Sequence, residues 1–264
     1  MTDVSPLVAP PHLSPSSIGT FKQCPLRYKY SRIDNLPEPP TEASILGNFV
    51  HDIAENLYNE PSENRTELRA RQIAAEVWSL YEDRVGAVLH GSADKIRMFR
   101  WNAWWCVENL FKMEDPASLS FEGLESELNH TLFANSDTPV KIKGFIDRWN
   151  YENGEIVIGD YKTGKVPGVK YREDKFFQLL LYGLVLQEQL DKPIKRIELL
   201  YIKNAELLQH IPTTEDITRV SEDIKATRRA IDERCITHEF EHKRGRLCDW
   251  CNFKSICPAW RPKQ

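Results

Sequence analysis

The sequence predicts a single domain of the α/β or α+β class, with a helical segment in front of a sheet that helices flank. Two observations predict this class. Apolar residues recur at helical spacing over most of the first 113 residues. Segments with strand character follow, and two further helical segments are interspersed with them after residue 170. This order of helices, strands and helices is typical of that class.

The N-terminal part is predicted to be mainly helical. The hydroxyl of Ser14 can cap a first helix, and Pro15 fits its first position, where no backbone N–H is needed. This helix is expected to end near Arg32. Helical spacing of apolar residues predicts further helices over Glu42–Tyr58 and over Glu67–Met113, the second with a break near Gly86–Gly91.

Strands are predicted to begin after residue 118. Alternating patterns predict three of them, over Leu119–Phe133, Val140–Tyr151 and Glu155–Lys162. Asn153-Gly154 between the last two is a strong hairpin signal, because both residues tolerate a positive φ. The remaining predicted elements are a helix over Asp174–Leu190, strands over Ile194–Lys203 and Ala205–Ile211, and a helix over Ile217–Arg234.

The charge balance and composition exclude several classes of protein. Thirty-five Lys and Arg against 39 Asp and Glu give a net charge of −4, which excludes a protein that coats nucleic acid through bulk positive charge. No stretch approaches the ~20 apolar residues of a membrane span, and the first residues lack the pattern of a secretory signal. We therefore expect a cytoplasmic protein whose six cysteines serve metal binding rather than disulfides.

Two strand ends carry the clearest chemistry. The third predicted strand ends in the motif DYKTG at 160–164, and side-chain alternation puts Asp160 and Lys162 on one face. The turn at 153–154 folds the second strand back on the third, so Asp147 can meet Asp160 across the hairpin. Paired carboxylates suit Mg²⁺ or Mn²⁺, and a nearby lysine can orient a water or stabilise phosphoryl charge.

These motifs resemble those of the PD-(D/E)XK nucleases, in particular the RecB-like branch, which includes RecB and AddB nuclease domains and CRISPR-associated and phage exonucleases. That branch has, in order, a helix with Gly-x-x-x-His-x-x-x-Glu, a strand with Gly-x-x-Asp-Arg, a strand with Asp-Tyr-Lys-Thr-Gly and a helix with Gln-x-x-x-Tyr. The matching residues, in the same order, are Gly47, His51, Glu55, Gly144, Asp147, Arg148, Asp160, Lys162, Thr163, Gly164, Gln178 and Tyr182. The resemblance covers most of the chain from Leu13 to Trp260 and implies a restriction-endonuclease-like core with a central mixed sheet.

The resemblance also implies roles for the matching residues. The expected ligands of Mg²⁺ or Mn²⁺ are His51, Asp147, Asp160 and the carbonyl of Tyr161. Lys162 is expected to orient the attacking water, and Gln178 and Tyr182 lie one helical turn apart beside it. The expected catalytic residues are thus Asp147, Asp160, Lys162, Gln178 and Tyr182.

Two further acidic positions stay open at this point. Glu55 lies one turn after His51 on the same helix face, where it either supports His51 or forms a salt bridge. Three glutamates lie close together on the first predicted strand. Of these we expect Glu127 to hydrogen-bond within the site, with a solvated strand face as the alternative.

Four cysteines have the spacing of a metal site. Cys248, Cys251 and Cys257 lie close together near the C-terminus, and Cys24 is the plausible fourth ligand. Four thiolates suit Zn²⁺ or an iron–sulfur cluster equally, and spacing alone slightly favours zinc. The resemblance favours a [4Fe–4S] cluster instead, because the AddB and CRISPR-associated nucleases have one cysteine before the core and three after it. Such a cluster would staple the N- and C-terminal regions together.

We therefore expect one RecB-like nuclease domain over residues 1–264, with a mainly helical part (13–114), a nuclease core (119–235) and a cluster-binding segment (236–264). The expected function is a Mg²⁺- or Mn²⁺-dependent DNA exonuclease acting on single-stranded ends in recombination, repair or CRISPR adaptation. The alternative is a non-catalytic module that binds DNA ends. A separate helicase, recombinase or CRISPR integrase is the expected partner, since the sequence contains no phosphate-binding loop of a helicase. If the chain is phage-encoded, its compartment is the host cytoplasm.

Overall fold

Helices and strands follow one another in the predicted order over residues 7–260, the part of the chain that this computed structural model describes. Residues 1–6 and 261–264, which belong to the predicted domain and its cluster-binding segment, lie outside the described residues. The helices are α1 (Pro15–Gln23), α2 (Pro25–Tyr28), α3 (Glu42–Tyr58), α4 (Glu67–Trp78), α5 (Glu82–Val88), α6 (Ala93–Met113), α7 (Arg172–Lys175), α8 (Phe177–Leu190) and α9 (Thr214–Thr237). The strands are β1 (Gly123–Leu132), β2 (Val140–Glu152), β3 (Glu155–Tyr161), β4 (Ile194–Tyr201) and β5 (Glu206–His210).

The first predicted helix is interrupted at Cys24. Ser14 caps α1 as predicted, and its hydroxyl accepts a hydrogen bond from the N–H of Ser17 at 3.1 Å. The helix ends because Cys24 precedes Pro25 and takes an extended conformation, which the proline ring favours in the residue before it. Helical structure resumes with Pro25 at the first position of α2.

The five strands form one mixed sheet in the order β1-β2-β3-β4-β5. Strands β2 and β3 are antiparallel, and Asn153 and Gly154 between them both have positive φ, as the tight hairpin requires. Strand β4 pairs in parallel with β3 after the helical crossover that contains α8, and β5 pairs antiparallel with β4. The predicted fold class, a mixed α/β fold with a central sheet flanked by helices, is confirmed.

The described residues fall into two compact units. We call Pro40–Glu127 with Phe145–Thr213 the middle unit, and residues 7–39, Leu128–Gly144 and 214–260 the terminal unit. Whether the chain acts as the single predicted domain stays a prediction.

The core of the middle unit packs helices α3 to α6 against the ends of β3 and β4. Apolar side chains of α3 at helical spacing are buried, and they contact buried residues of α4 and α6. Phe49 lies near the rings of Trp78, Tyr81 and Phe99, at centroid distances of 5.1 to 6.1 Å. This packing fixes one face of α3 and leaves the opposite face to line a cavity.

The terminal unit joins segments that are far apart in sequence. Backbone hydrogen bonds connect Leu13 to Lys141 and Lys143, at 2.8 and 2.9 Å. The N–H of Leu26 donates to the carbonyl of Glu241 at 3.1 Å. Lys22 forms an ion pair with Asp223 of α9 at 2.7 Å. The beginning and end of the chain are therefore held together by ordinary protein contacts.

Among the helices of residues 7–260, none combines the length and the apolar character that crossing a bilayer requires.

Candidate active site

Helix α3 presents His51 on its polar face. Thr41 caps the helix, because its side chain accepts a hydrogen bond from the N–H of Ser44 at 3.1 Å. The buried apolar face then fixes the rotation of α3, so that His51 points away from the core. His51 lines a cavity with Gly47, Asn48, Asp52 and Glu55 of the same helix, together with Ser44, Tyr81, Glu125 and Phe145.

The hairpin of β2 and β3 brings Asp147 next to Tyr161. Arg148 of β2 pairs with Gly159 of β3, so Asp147 and Asp160 follow as the next facing positions. The N–H of Tyr161 donates to Oδ2 of Asp147 at 2.7 Å. The prediction that the hairpin brings the two aspartates together agrees with this geometry.

His51 connects to the same hairpin through both ring nitrogens. Its Nε2 lies 2.8 Å from the carbonyl oxygen of Tyr161. Because a carbonyl only accepts hydrogen bonds, Nε2 carries the hydrogen. Nδ1 therefore faces the carboxylates, at 3.4 Å from both Glu125 Oε1 and Asp147 Oδ2.

Glu125 is the residue that the sequence reasoning missed. Of the two alternatives for Glu127, its exposed side chain agrees with the solvated strand face, and the carboxylate of β1 that contacts His51 is that of Glu125. Glu125 has a φ of 39°, a left-handed conformation that breaks the regular alternation of the strand. The cluster of glutamates was the available signal, and the irregular backbone decided which one points inward.

Glu55 lines the cavity near His51, on the next turn of α3. Burial raises its pKa, and the nearby charges of Glu125 and Asp52 raise it further. Glu55 therefore belongs to the acidic surroundings of the site, whereas the carboxylate in contact with the His51 ring is Glu125.

Asp160, Lys162 and Gln178 form a connected group. Nζ of Lys162 lies 2.6 Å from Oδ2 of Asp160. The Gln178 amide donates to Oδ1 of Asp160 at 3.0 Å, and its oxygen accepts from Nζ of Lys162 at 3.3 Å. A single glutamine therefore contacts both the lysine and the aspartate.

Tyr182 lies one turn after Gln178 on α8 and is buried. Burial raises the pKa of Tyr182 to about 12, and the charge of Asp160 adds to this, whereas hydrogen bonds with the Phe145 backbone and the Gln178 side chain act in the opposite direction. Its hydroxyl is therefore a neutral hydrogen-bonding group at the edge of the site.

The site brings several carboxylates together where they are largely shielded from water. Burial and then the charge of Asp160 raise the pKa of Asp147 to about 7, against the opposing effects of His51 and the Tyr161 N–H. Burial lowers the pKa of His51, but its hydrogen bond to Glu125 and the charges of Asp147 and Asp160 outweigh this and raise it to about 9. Both shifts show that the carboxylates attract positive charge.

A family model matches most of the chain. The model of the PD-(D/E)XK nuclease superfamily matches residues 12–258. The chain belongs to the PD-(D/E)XK nuclease superfamily. This nuclease is similar to the Gene 69 protein of Mycobacterium phage L5, with 24% identity over an alignment of 310 positions that covers 99% of this chain and 100% of that protein. The Gene 69 protein of Mycobacterium phage D29 is 25% identical over an alignment of 216 positions, which covers 67% of this chain and 69% of the relative.

A solved structure shares the fold of the nuclease. The crystal structure of a candidate exonuclease from Eubacterium rectale superposes with a TM-score of 0.59 over 96% of this chain and 91% of that chain. The two sequences are 13% identical, so the likeness concerns the fold alone.

The residues of the nuclease site fit a divalent cation. His51, Glu125 and Asp147 each offer one ligand atom, and these atoms all lie within 4.8 Å of one another. Carboxylate oxygens are suitable ligands for Mg²⁺ or Mn²⁺. Burial and then the charge of Asp160 raise the pKa of Asp147, and a cation would relieve the second of these effects.

The four cysteines of the predicted cluster lie in the terminal unit. Cys24, Cys248, Cys251 and Cys257 line one cavity and are free, half-buried thiols. The ligand atoms of His51, Glu125 and Asp147 all lie within 4.8 Å of one another. Within residues 7–260, no three cysteine sulfurs are grouped as closely as this.

Proposed function

We propose that this nuclease is a metal-dependent DNA exonuclease of the RecB-like branch, which hydrolyses phosphodiester bonds from single-stranded DNA ends. One observation supports the proposal above all others. His51 and Asp147 both bind the backbone of Tyr161, and the residues on either side of Tyr161 are Asp160 and Lys162. The proposed ligands and the proposed catalytic lysine thus surround one short segment of backbone.

Each residue has a proposed role. The groups available to hold Mg²⁺ or Mn²⁺ are the side chains of His51, Glu125, Asp147 and Asp160 and the carbonyl of Tyr161. Such a cation, when bound, lowers the pKa of a water ligand and stabilises charge on the phosphate. Lys162, fixed by Asp160 and Gln178, donates a hydrogen bond that orients the attacking water. The water gives up one proton as its oxygen bonds to phosphorus, one P–O ester bond breaks, and the departing oxygen takes up a proton, so that one water is added across the broken bond.

Gln178 and Tyr182 are proposed to act beside the lysine. Gln178 contacts both Asp160 and Lys162, so it keeps the amine near the carboxylate without neutralising either group. The neutral hydroxyl of Tyr182 supports the same helix face. Both residues therefore position Lys162, and Gln178 does so by direct contact.

We also propose that Cys24, Cys248, Cys251 and Cys257 bind a [4Fe–4S] cluster. Their common cavity supports a shared ligand. The [4Fe–4S] cluster is preferred because one cysteine precedes the nuclease core and three follow it, which resembles the AddB and CRISPR-associated nucleases. Zn²⁺ is the alternative occupant. The cluster is proposed to be structural and to reinforce the contacts that already join the two ends of the chain.

The setting follows from the proposed activity. DNA ends are the proposed substrate, and a separate helicase, recombinase or CRISPR integrase would supply or use them. Similarity to two mycobacteriophage proteins supports a phage context and, with it, the host cytoplasm.

The proposal is tested with anaerobically purified protein and DNA labelled at one end. We expect Mn²⁺ or Mg²⁺ to support degradation of linear single-stranded DNA, with circular single-stranded DNA left intact. Asp160→Asn should abolish degradation, since it removes a proposed metal ligand and the partner of Lys162. The matched control is Asp94→Asn, which removes the same charge from a side chain that is 90% exposed in the middle unit.

The outcomes are distinct. Loss of linear DNA in wild type and Asp94→Asn, but not in Asp160→Asn, supports the exonuclease. Cleavage of circular DNA would show endonuclease activity instead. If the intact protein binds DNA ends without cleaving them under either metal, the exonuclease proposal is wrong and a binding module is favoured.

A further inference from the structure

Tyr161 supplies both of its backbone polar groups to the proposed metal ligands. Its N–H donates to Oδ2 of Asp147 at 2.7 Å, and its carbonyl accepts from Nε2 of His51 at 2.8 Å. A small rotation of the Tyr161 backbone would therefore move both ligands. The position of this backbone depends on what holds the side chain of Tyr161, which is buried.

The phenol of Tyr161 is held by an ion pair. Nη1 of Arg148 donates to the Tyr161 hydroxyl at 2.9 Å, and this hydroxyl donates to Oε1 of Glu114 at 2.8 Å. The same Nη1 donates to Oε2 of Glu114 at 2.6 Å. The guanidinium also lies over the Tyr161 ring, 5.1 Å from its centroid. Arg148, Glu114 and Tyr161 thus form a closed triangle of hydrogen bonds.

This triangle is built into the interior. The side chains of Arg148 and Glu114 are 7% and 10% exposed. Arg148 has space to lie across β3 because residue 159 is glycine, where a Cβ would lie 2.3 Å from Nε of Arg148. A second carboxylate, Glu198, accepts from Nη2 of Arg148 at 3.2 Å.

The buried ion pair of Arg148 and Glu114 is not explained by a contribution to the free energy of folding. Burying two charges costs roughly as much as their attraction returns, so a buried ion pair is weak evidence for a stabilising role. Its geometric effect is clearer, because charge-assisted hydrogen bonds are short and directional. The pair fixes the one ring whose backbone contacts two proposed metal ligands.

We propose that Glu114, together with Arg148, is a positioning residue of the proposed metal site. It acts through the ring of Tyr161 on the backbone that holds Asp147 and His51. Glu114 lies outside the four family motifs, at the end of α6. This inference rests on the proposed function, since it assigns a role toward the cation that the function requires.

Tyr58 provides a matched control. Its hydroxyl also donates to Oε1 of Glu114, and its ring lies parallel to that of Tyr161, with centroids 6.3 Å apart. The contacts of Asp147 Oδ2 and His51 Nε2, however, are with the backbone of Tyr161. Removing one hydroxyl from each tyrosine therefore separates positioning of the ligands from general support of the buried cluster.

The experiment measures Mn²⁺ binding directly, from the electron paramagnetic resonance signal of free Mn²⁺, and needs no nuclease activity. We expect Tyr161→Phe and Glu114→Gln to weaken Mn²⁺ binding about tenfold, in the range observed when groups that orient metal ligands are changed. Tyr58→Phe should weaken it less than threefold. Thermal unfolding of the metal-free variants serves as the structural readout, and the two tyrosine variants should unfold at similar temperatures.

Preferential loss of Mn²⁺ affinity in Tyr161→Phe, with matched unfolding temperatures, supports the positioning role. Equal loss in Tyr58→Phe, or unchanged affinity in Tyr161→Phe, would overturn it. A wild-type protein that binds no Mn²⁺ would overturn the proposed function and the positioning role with it. The wild type is therefore measured first, so that this outcome is distinguished from a failure of the positioning role alone.

Discussion

The two units contain candidate sites of different character. In the middle unit, His51 and Asp147 both contact the backbone of Tyr161. The neighbouring Asp160 contacts the side chains of Gln178 and Lys162. In the terminal unit, the four cysteines share a cavity but have more widely spaced ligand atoms. Protein contacts preorganise the first site, whereas at the second site the proposed cluster would fix the sulfur positions.

The two sites are expected to affect the stability of the fold in different ways. The carboxylate site concentrates repelling charges, and the fold of the middle unit holds them in place at a cost in stability. The proposed cluster, in contrast, would add its binding free energy to folding, because its ligands are less constrained beforehand. Removing a ligand should therefore affect stability in opposite directions in the two units.

The largest expected effect is that of Asp147→Asn. Activity should fall about a thousandfold or more, which corresponds to a loss of about 4 kcal/mol of transition-state stabilisation. The metal-free protein should nevertheless unfold a few degrees higher, because a buried carboxylate beside Asp160 is replaced by a neutral group that can still accept from the Tyr161 N–H.

Calorimetry of the metal-free protein and an end-labelled DNA assay measure the two effects. A variant that loses activity and also unfolds at a lower temperature would contradict the view that the middle unit holds this charge at a cost.

The next effect concerns Cys251→Ala in the terminal unit. Anaerobically purified wild type should contain close to four irons and be brown, and the variant should lose most of its iron and unfold at a lower temperature, since cluster binding contributes to folding. Iron and sulfide analysis with thermal unfolding tests this. Cys106→Ala is the matched control, because Cys106 is a buried thiol of the middle unit. Zinc in place of iron in the wild type would decide for the alternative metal.

The smallest expected effect distinguishes two glutamates of β1. Glu125→Gln should weaken Mn²⁺ binding about tenfold, because Glu125 contacts the nitrogen of His51 that faces the proposed metal site. Glu127→Gln should change it less than twofold, since that side chain is exposed. Calorimetric titration with Mn²⁺ measures both. The reverse order would favour Glu127, the glutamate that the sequence analysis expects in the site.

Much of the fold could be predicted from periodicity and turn chemistry. The Asn153-Gly154 turn placed β2 against β3, and the apolar spacing of α3 matched its observed bounds. Helix boundaries near prolines were less accurate, because helical periodicity continues across Cys24 although Pro25 interrupts the helix there.

The site could be predicted where it depends on motifs and not where it depends on packing. His51, Asp147, Asp160, Lys162 and Gln178 come together as expected. Glu125 could not be identified because one left-handed residue changed the facing of β1. Glu114 gave no signal, since it is 47 residues from Tyr161 in sequence and is brought to it only by the packed core.

The terminal unit is built from segments that are far apart in sequence, and this has a consequence for its folding during synthesis. Its first segment ends at Pro39, and its last begins at Thr214, about 175 residues later. At ribosomal rates of 5–20 residues per second, the first segment waits roughly 10 to 35 s for that partner. During this interval the apolar side chains of α1 lack their native partners on α9. We therefore expect the nascent chain to need chaperone protection over its first 40 residues.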